Sequence, residues 1–229
     1  MSGKIWLGAA AGYAASKLAE RGRNREDQLL MLARLSAVTP VPLPIVGSPQ
    51  AEVRFTAHGA FSFALPQNFV VPDPEIQRVW QMGSTTPILA AAVDGVSPDM
   101  FFAVYDGSDI AQEMRTHSVW LIAAVADQFR DRSRAVGTPV IMGPTAILID
   151  GERAIWFVLS KLEDGAETHK FTVETFHKGH GYVIIMHLRN GVDAKYADAF
   201  WTAIGSWKWA DSAAPVGGPQ PSPPMPPSG

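Results

Sequence analysis

The spacing of apolar and polar residues changes period along the chain, and each change marks an element. Val53, Phe55 and Ala57 alternate with polar partners, and after Gly59 the stretch Phe61-Ser62-Phe63-Ala64-Leu65 alternates again as far as Pro66, which predicts a hairpin. Pro87 to Val93 and Met100 to Tyr105 predict further strands, the second rich in aromatic side chains. Asp106-Gly107-Ser108-Asp109 turns the chain and offers an N-cap. Beyond it Ile110, Met114, Leu121, Val125 and Phe129 recur at helical spacing, so a long helix is predicted from Asp109 to Arg132, with Trp120 flanking its stripe. Gly137-Thr138-Pro139 ends that helix, and Val140 to Ile149 reads as a strand in which Gly143-Pro144 demands a bulge or an edge position.

The next strand, Ala154 to Leu162, carries Ile155, Phe157 and Leu159 on one face and Trp156 and Val158 on the other, so it is predicted to be central and covered on both sides. Asp164-Gly165 and His177-Lys178-Gly179-His180-Gly181 are turns short enough to make His169–His177 and Tyr182–Leu188 its antiparallel successors. Asn190-Gly191 leads into a helix, Asp193 to Gly205, with Tyr196, Phe200 and Ile204 on one side, and Trp207-Lys208-Trp209 closes the domain as a short strand.

Both ends differ from this middle. Residues 1–36 are helical by composition: Asn24 caps a helix whose Leu29, Leu30, Met31, Leu32 and Leu35 make a wide apolar face. Before it, Ile5 to Ala15 has the length of a secretory signal core, but it is Gly/Ala-dominated and runs on into Lys17-Leu18-Ala19-Glu20 as charged helix. The expectation is therefore a retained N-terminus and a cytoplasmic protein, with an exported or membrane-peripheral one as the alternative. Residues 37–50 hold Pro40, Pro42, Pro44 and Pro49 and form a semi-rigid extended linker. Residues 211–229 form a proline-rich tail with no charge from Pro215 onward, and its PxxP spacings (Pro221 to Pro224, Pro224 to Pro227) arise in any proline-dense run. Residues 51–210 remain as the folded domain.

Composition narrows the function. With 229 residues, 47% of them hydrophobic, the chain can build one sizeable core. The absence of Cys excludes disulfides, thiolate metal sites and a Cys nucleophile, so a metal would need His and carboxylate ligands. A net charge of −3 argues against nucleic-acid binding. No run approaches the roughly 20 apolar residues that span a bilayer, so membrane contact is peripheral at most.

The candidate chemistry is sparse. His169, His177, His180 and His187 cluster in sequence, with Asp164 and Glu174 near them, and His177-x-x-His180 occupies one hairpin turn. Strand geometry sets His169 and His177 about 26 Å apart, at 3.3 Å per residue, which leaves His177 and His180 as the only weak metal candidates; solvated turn histidines are the plainer reading. His58 and His117 are isolated. No Gly-x-Ser-x-Gly turn and no phosphate-cradling glycine loop is present, so no catalytic residue and no cofactor is assigned. Asp94, Asp99, Asp106 and Asp109 read as turn and cap residues. The tryptophans at 120, 156, 201, 207 and 209 read as core and rim of helix-on-sheet packing.

The order of elements, with helices separated from meandering strands, indicates an α+β fold: an antiparallel sheet flanked by helices. Three stretches give the chain a family likeness: Gly59-Ala60-Phe61-Ser62-Phe63-Ala64-Leu65-Pro66, an aromatic-rich opening strand ending in proline; Asp150-Gly151-Glu152-Arg153-Ala154, a Gly-x-x-Ala strand start; and the closing helix and strand from Phe200 to Trp209. In these it resembles the PsbP-like superfamily, which also includes the Ran-binding nuclear import factor and the bacterial DcrB-like and LpqN-type proteins. The resemblance implies an α/β/α sandwich over residues 51–210 and a non-catalytic binding, chaperone-like or accessory role, holding a partner protein or an apolar segment. An exported binder of lipid or another apolar ligand, as in the LpqN type, is the alternative, and a metal-dependent or acid–base enzyme is a third. The lipoprotein branch carries a modified Cys that this chain lacks.

Leu29, Leu32 and Leu35 are the expected interaction residues, because a lone helix does not leave so much apolar surface in water. Self-association through them is the simplest outcome. Sedimentation should show an oligomer for the full-length chain and a monomer for a chain starting at Ala51; identical monomers that bind neither liposomes nor a partner recovered by pull-down would remove the role.

Overall fold

The computed structural model describes residues 33–44, 52–57, 59–81, 85–93, 99–107, 120–189 and 194–211. In chain order the elements are β1 (Glu52–Ala57), β2 (Phe61–Pro66), β3 (Phe69–Val70), α1 (Pro74–Val79), β4 (Leu89–Val93), β5 (Met100–Asp106), α2 (Leu121–Ala124), α3 (Ala126–Ala135), β6 (Val140–Ile149), β7 (Glu152–Glu163), β8 (Ala166–His177), β9 (His180–Arg189), α4 (Ala194–Gly205) and β10 (Lys208–Trp209).

β6 to β9 form a meander because the turns between them are two-residue turns with positive φ at Asp150-Gly151, Asp164-Gly165 and Lys178-Gly179. The meander joins β5, β4 and β3 in one sheet of seven strands, ordered β3-β4-β5-β9-β8-β7-β6, with every pairing antiparallel. β1, β2 and β10 make a separate three-stranded sheet, with β2 in the middle.

Strand alternation then sorts side chains onto two faces. On the first face Phe102, Val104, Ile184, Met186, Phe171, Val173 and Val158 meet the small sheet and α4 in one buried cluster. Phe63 of β2 lies 4.8 Å from Phe102, ring to ring, and stacks on Trp207 at 5.3 Å. Phe200 and Trp201 of α4 reach Phe171 and Trp156 at 5.4 and 5.0 Å. On the second face Trp80, at the end of α1, covers Phe101, Ala103 and Tyr105, and α2 and α3 cover Ile155 and Phe157 through Ile122 and Phe129. The fold is therefore the expected α+β sheet with helices packed on it. One of its two covering layers is a helix together with a second sheet.

Three features differ from the sequence expectation. β3 and α1 were not predicted, since two and six residues are too short to show a period, and α1 begins at a proline that suits its first turn. The predicted long helix is, in its described part, two helices: Val125 leaves helical geometry at φ −117° and ψ 31°, and α3 then runs past Arg132 to Ala135. Residues 108–119 lie outside the described residues. Lastly, β7 is covered on both faces as expected, but it is next to the edge of the sheet rather than at its centre.

β6 is the edge strand, and its register slips between Val140 and Thr145, so Gly143-Pro144 brings both the bulge and the edge position. Gly143 has φ +78°, and a Cβ there would stand 2.7 Å from the Trp156 carbonyl oxygen. Gly143→Ala combines a left-handed backbone with a backbone clash, so it should destabilise the protein by more than about 1 kcal/mol in urea unfolding. Gly151→Ala, also at positive φ but in open space, should lose less.

Candidate functional site

The register separates the four clustered histidines. His169 and His177 lie on the first face of β8, His187 lies on the second face of β9 opposite Lys170, and His180 is exposed at the hairpin tip. Glu174, eligible by sequence as their oxygen ligand, lies on the second face, away from His177. Among the described residues no group of three or more His, Asp or Glu side chains is placed to hold a metal. The expectation of solvated turn histidines fails for His169 and His187, which are both buried. His58 and His117 lie outside the described residues.

His177 is structural. Its Nδ1 is 2.9 Å from Glu152 Oε1, its Nε2 is 3.1 Å from Asp211 Oδ1, and its ring stacks on Trp209 at 4.3 Å. Both ring nitrogens are thus engaged by carboxylates of neighbouring elements. Asp150 completes this lock: its carboxylate accepts from Trp209 N–H at 3.0 Å and pairs with Lys208 at 2.7 Å. β10 is thus tied to the β6–β7 turn.

One polar group on the first face went unnoticed in the sequence. Ser160 Oγ donates to Glu167 Oε1 at 2.8 Å, and His169 Nε2 lies 3.1 Å from the same oxygen. Serine, histidine and carboxylate are present, yet the carboxylate stands between the other two. A nucleophilic triad needs the imidazole in that place. Cross-strand pairing of Ser160 with His169 could have flagged the group, had the register been known.

The second face carries a buried polar stripe. Glu174 is buried with Oε2 lacking a hydrogen bond, between Ile155 and Val183 on the neighbouring strands. Burial pushes its carboxyl up to about 8. His187 is stacked under Phe101 at 4.9 Å, and Phe101 under Trp80 at 4.6 Å. Burial, then the nearby Lys170 ammonium, pushes this imidazole down to about 4. Both groups are therefore held neutral, which suits their apolar surroundings.

The remaining candidate is the β6 edge. The opposite edge of the large sheet, β3, has only two residues, whereas β6 has ten. Along it Ile141, Met142 and Leu148 are 46%, 49% and 41% exposed. The proline-dense segment lies on this edge: Val41 N–H donates to the Ala146 carbonyl at 2.8 Å, and Leu43 packs against the main core. Near the bulge, Arg130 Nε donates to the Gly143 carbonyl at 2.8 Å. Since outward backbone groups recur at every second residue, Leu148 follows Ala146 as the next position facing away from β7. Of the expected interaction residues, Leu35 is half-buried, and Leu29 and Leu32 lie outside the described residues.

No protein family's pattern matches the chain, and no curated protein matches it in sequence. Among solved structures it is similar to the cyanobacterial PsbP (CyanoP) of Synechocystis, at 15% identity over 74% of this chain and 99% of that one, with a TM-score of 0.41. It is also similar to LpqN of Mycobacterium tuberculosis, a protein involved in cell envelope biogenesis, at 13% identity over 71% of this chain and 86% of that one, with a TM-score of 0.38. A Bacteroides thetaiotaomicron protein matches at 13% identity over 70% of this chain, with a TM-score of 0.40, and the chain spans about half of it, 48%. PsbP and LpqN are of the group that Gly59–Pro66 and Asp150–Ala154 resemble. These are likenesses of backbone path, and the reading of the site rests on this chain's own residues.

The two neutral groups set the pH dependence of stability. Glu174 binds its proton more tightly folded than unfolded, so its contribution falls as pH rises from about 4.3 to about 8. His187 binds its proton less tightly folded, so its contribution rises between about 4 and about 6.5. The two oppose each other below pH 6.5, and above it only the Glu174 decline remains. At about 1.4 kcal/mol per pH unit, the wild-type protein should lose about 2 kcal/mol between pH 6.5 and 8. Glu174→Gln should be flat over that window in urea unfolding; a parallel decline in the variant would refute the assignment.

Proposed function

We propose that this is a non-catalytic accessory domain of the cytoplasm that holds an extended, apolar segment of a partner protein along the open edge of its large sheet. One observation carries the reading: a ten-residue edge strand exposes Ile141, Met142 and Leu148 and already accepts an extended backbone at Ala146. Natural sheets blunt such edges with charge, bulges or covering elements. β6 has its bulge at one end only, and its exposed positions at 141, 142 and 148 carry no charge. Strand addition uses main-chain hydrogen bonds for affinity and alternate side chains for selectivity, and both are on offer here. The placing of Glu167 between Ser160 and His169 weighs against the enzyme alternative.

A photo-crosslinking residue at Leu148 or Met142, in cells that make the protein, should capture an extended segment of another protein. The same residue at exposed Val70 on the short β3 edge should not. Equal capture at all of these positions, or at none, would sink the reading.

A further inference from the structure

The segment seated on β6 shows what kind of strand this edge accepts. Thr39-Pro40-Val41-Pro42-Leu43-Pro44 has no charge and places an apolar residue between prolines at every second position. Proline fixes φ near −65° and removes every second N–H, so such a segment is already extended and offers hydrogen bonds only from its non-proline residues. The structure uses that pattern directly. Val41 supplies the N–H, Leu43 supplies the apolar anchor, and the Val41 side chain is half exposed to solvent.

The seat itself is incomplete as a strand pair. One backbone hydrogen bond joins the segment to β6, from Val41 to Ala146, and Leu148 at the next outward position stays exposed. A separate strand of the same pattern that continued past Leu148 would make the Ala146 bond and cover additional apolar surface.

We infer that residues 39–44 are an internal occupant of the β6 edge, and that the partner recognised there is an uncharged segment of the same kind, with apolar residues alternating with proline, which displaces them. This rests on the reading of β6 as a strand acceptor and adds both the chemistry of the partner and the competition it must win. An attached segment competes at an effective concentration of about millimolar order, so it weakens an incoming strand without closing the site to it.

The probe is a fluorescein-labelled peptide with the sequence of residues 38–46, added to the full-length protein. Val41→Pro removes the donor and Leu43→Ser removes the anchor. The double variant should bind the peptide at least tenfold more tightly than wild type, and adding Leu148→Lys to it should abolish that gain. Hydrogen exchange on the wild-type protein gives an answer even where the double variant fails to fold: saturating peptide should speed exchange of the Val41 amide.

Equal affinity of wild type and double variant, with no change at Val41, would overturn the internal occupant. If the peptide still bound in that case, and Leu148→Lys still blocked it, β6 would stand as an acceptor and only the competition would be lost. Displacement of Val41 by peptide together with no crosslink from position 148 in cells would leave the occupant in place and remove the partner reading. No peptide binding to either protein would overturn the inference.

Discussion

Antiparallel pairing of β7, β8 and β9 fixes the rest of the molecule, because it creates a sheet whose two faces are both apolar. β7 and β8 pair from Ala154 with Thr175 to Glu163 with Ala166, and β8 and β9 pair from Thr168 with Arg189 to His177 with His180. Backbone bonding is satisfied within the strands, and what remains is the cost of leaving Ile155, Phe157, Val173, Ile184 and Met186 in water. Each covering layer answers that cost. α4 and the small sheet close the first face with Phe200, Phe63 and Trp207, and α1 to α3 close the second with Trp80, Ile122 and Phe129. Where β8 turns polar residues to the second face, at Thr172 and Glu174, the two apolar patches of that face are divided.

The parts of this arrangement governed by local rules were legible in the sequence. The positive-φ turns at Asp164-Gly165 and Lys178-Gly179 order the meander, and the double apolar face of Ala154–Leu162 reports cover on both sides. Gly143-Pro144 marks the bulge and the edge. Elements decided by tertiary contact were not legible: β3 exists because Phe69 and Val70 find Val93 and Ala92, and Val125 interrupts a helix that periodicity would continue. The site was the least legible part. Prolines at 40, 42 and 44 correctly exclude regular secondary structure, but composition does not say that Val41 meets Ala146. The histidines are close in sequence, but strand register puts His187 on the opposite face from His169 and His177.

An edge strand in this position balances two demands. The bulge at Val140 to Thr145 and the Arg130 bond to Gly143 interrupt regular pairing at one end of β6, while Ala146 and Leu148 keep regular strand geometry at the other. The resident proline segment bonds to the regular half at Ala146 and has too few N–H groups to propagate a sheet. Such cover limits uncontrolled edge-to-edge association and still leaves the edge accessible.

The small sheet has a consequence for the order in which the chain is made. β2 lies between β1, which precedes it, and β10, which comes at the end of the described chain; Ala64 N–H bonds to Ser206 Oγ across 142 residues. A ribosome delivers the β1–β2 hairpin early, with Phe61 and Phe63 already aligned, but Trp207, which stacks on both at 4.6 and 5.3 Å, emerges only after the whole large sheet. Through most of synthesis those rings therefore have no final cover. Until Trp207 is made, the nascent chain carries Phe61 and Phe63 without the ring that stacks on both, an aromatic exposure that the finished fold removes.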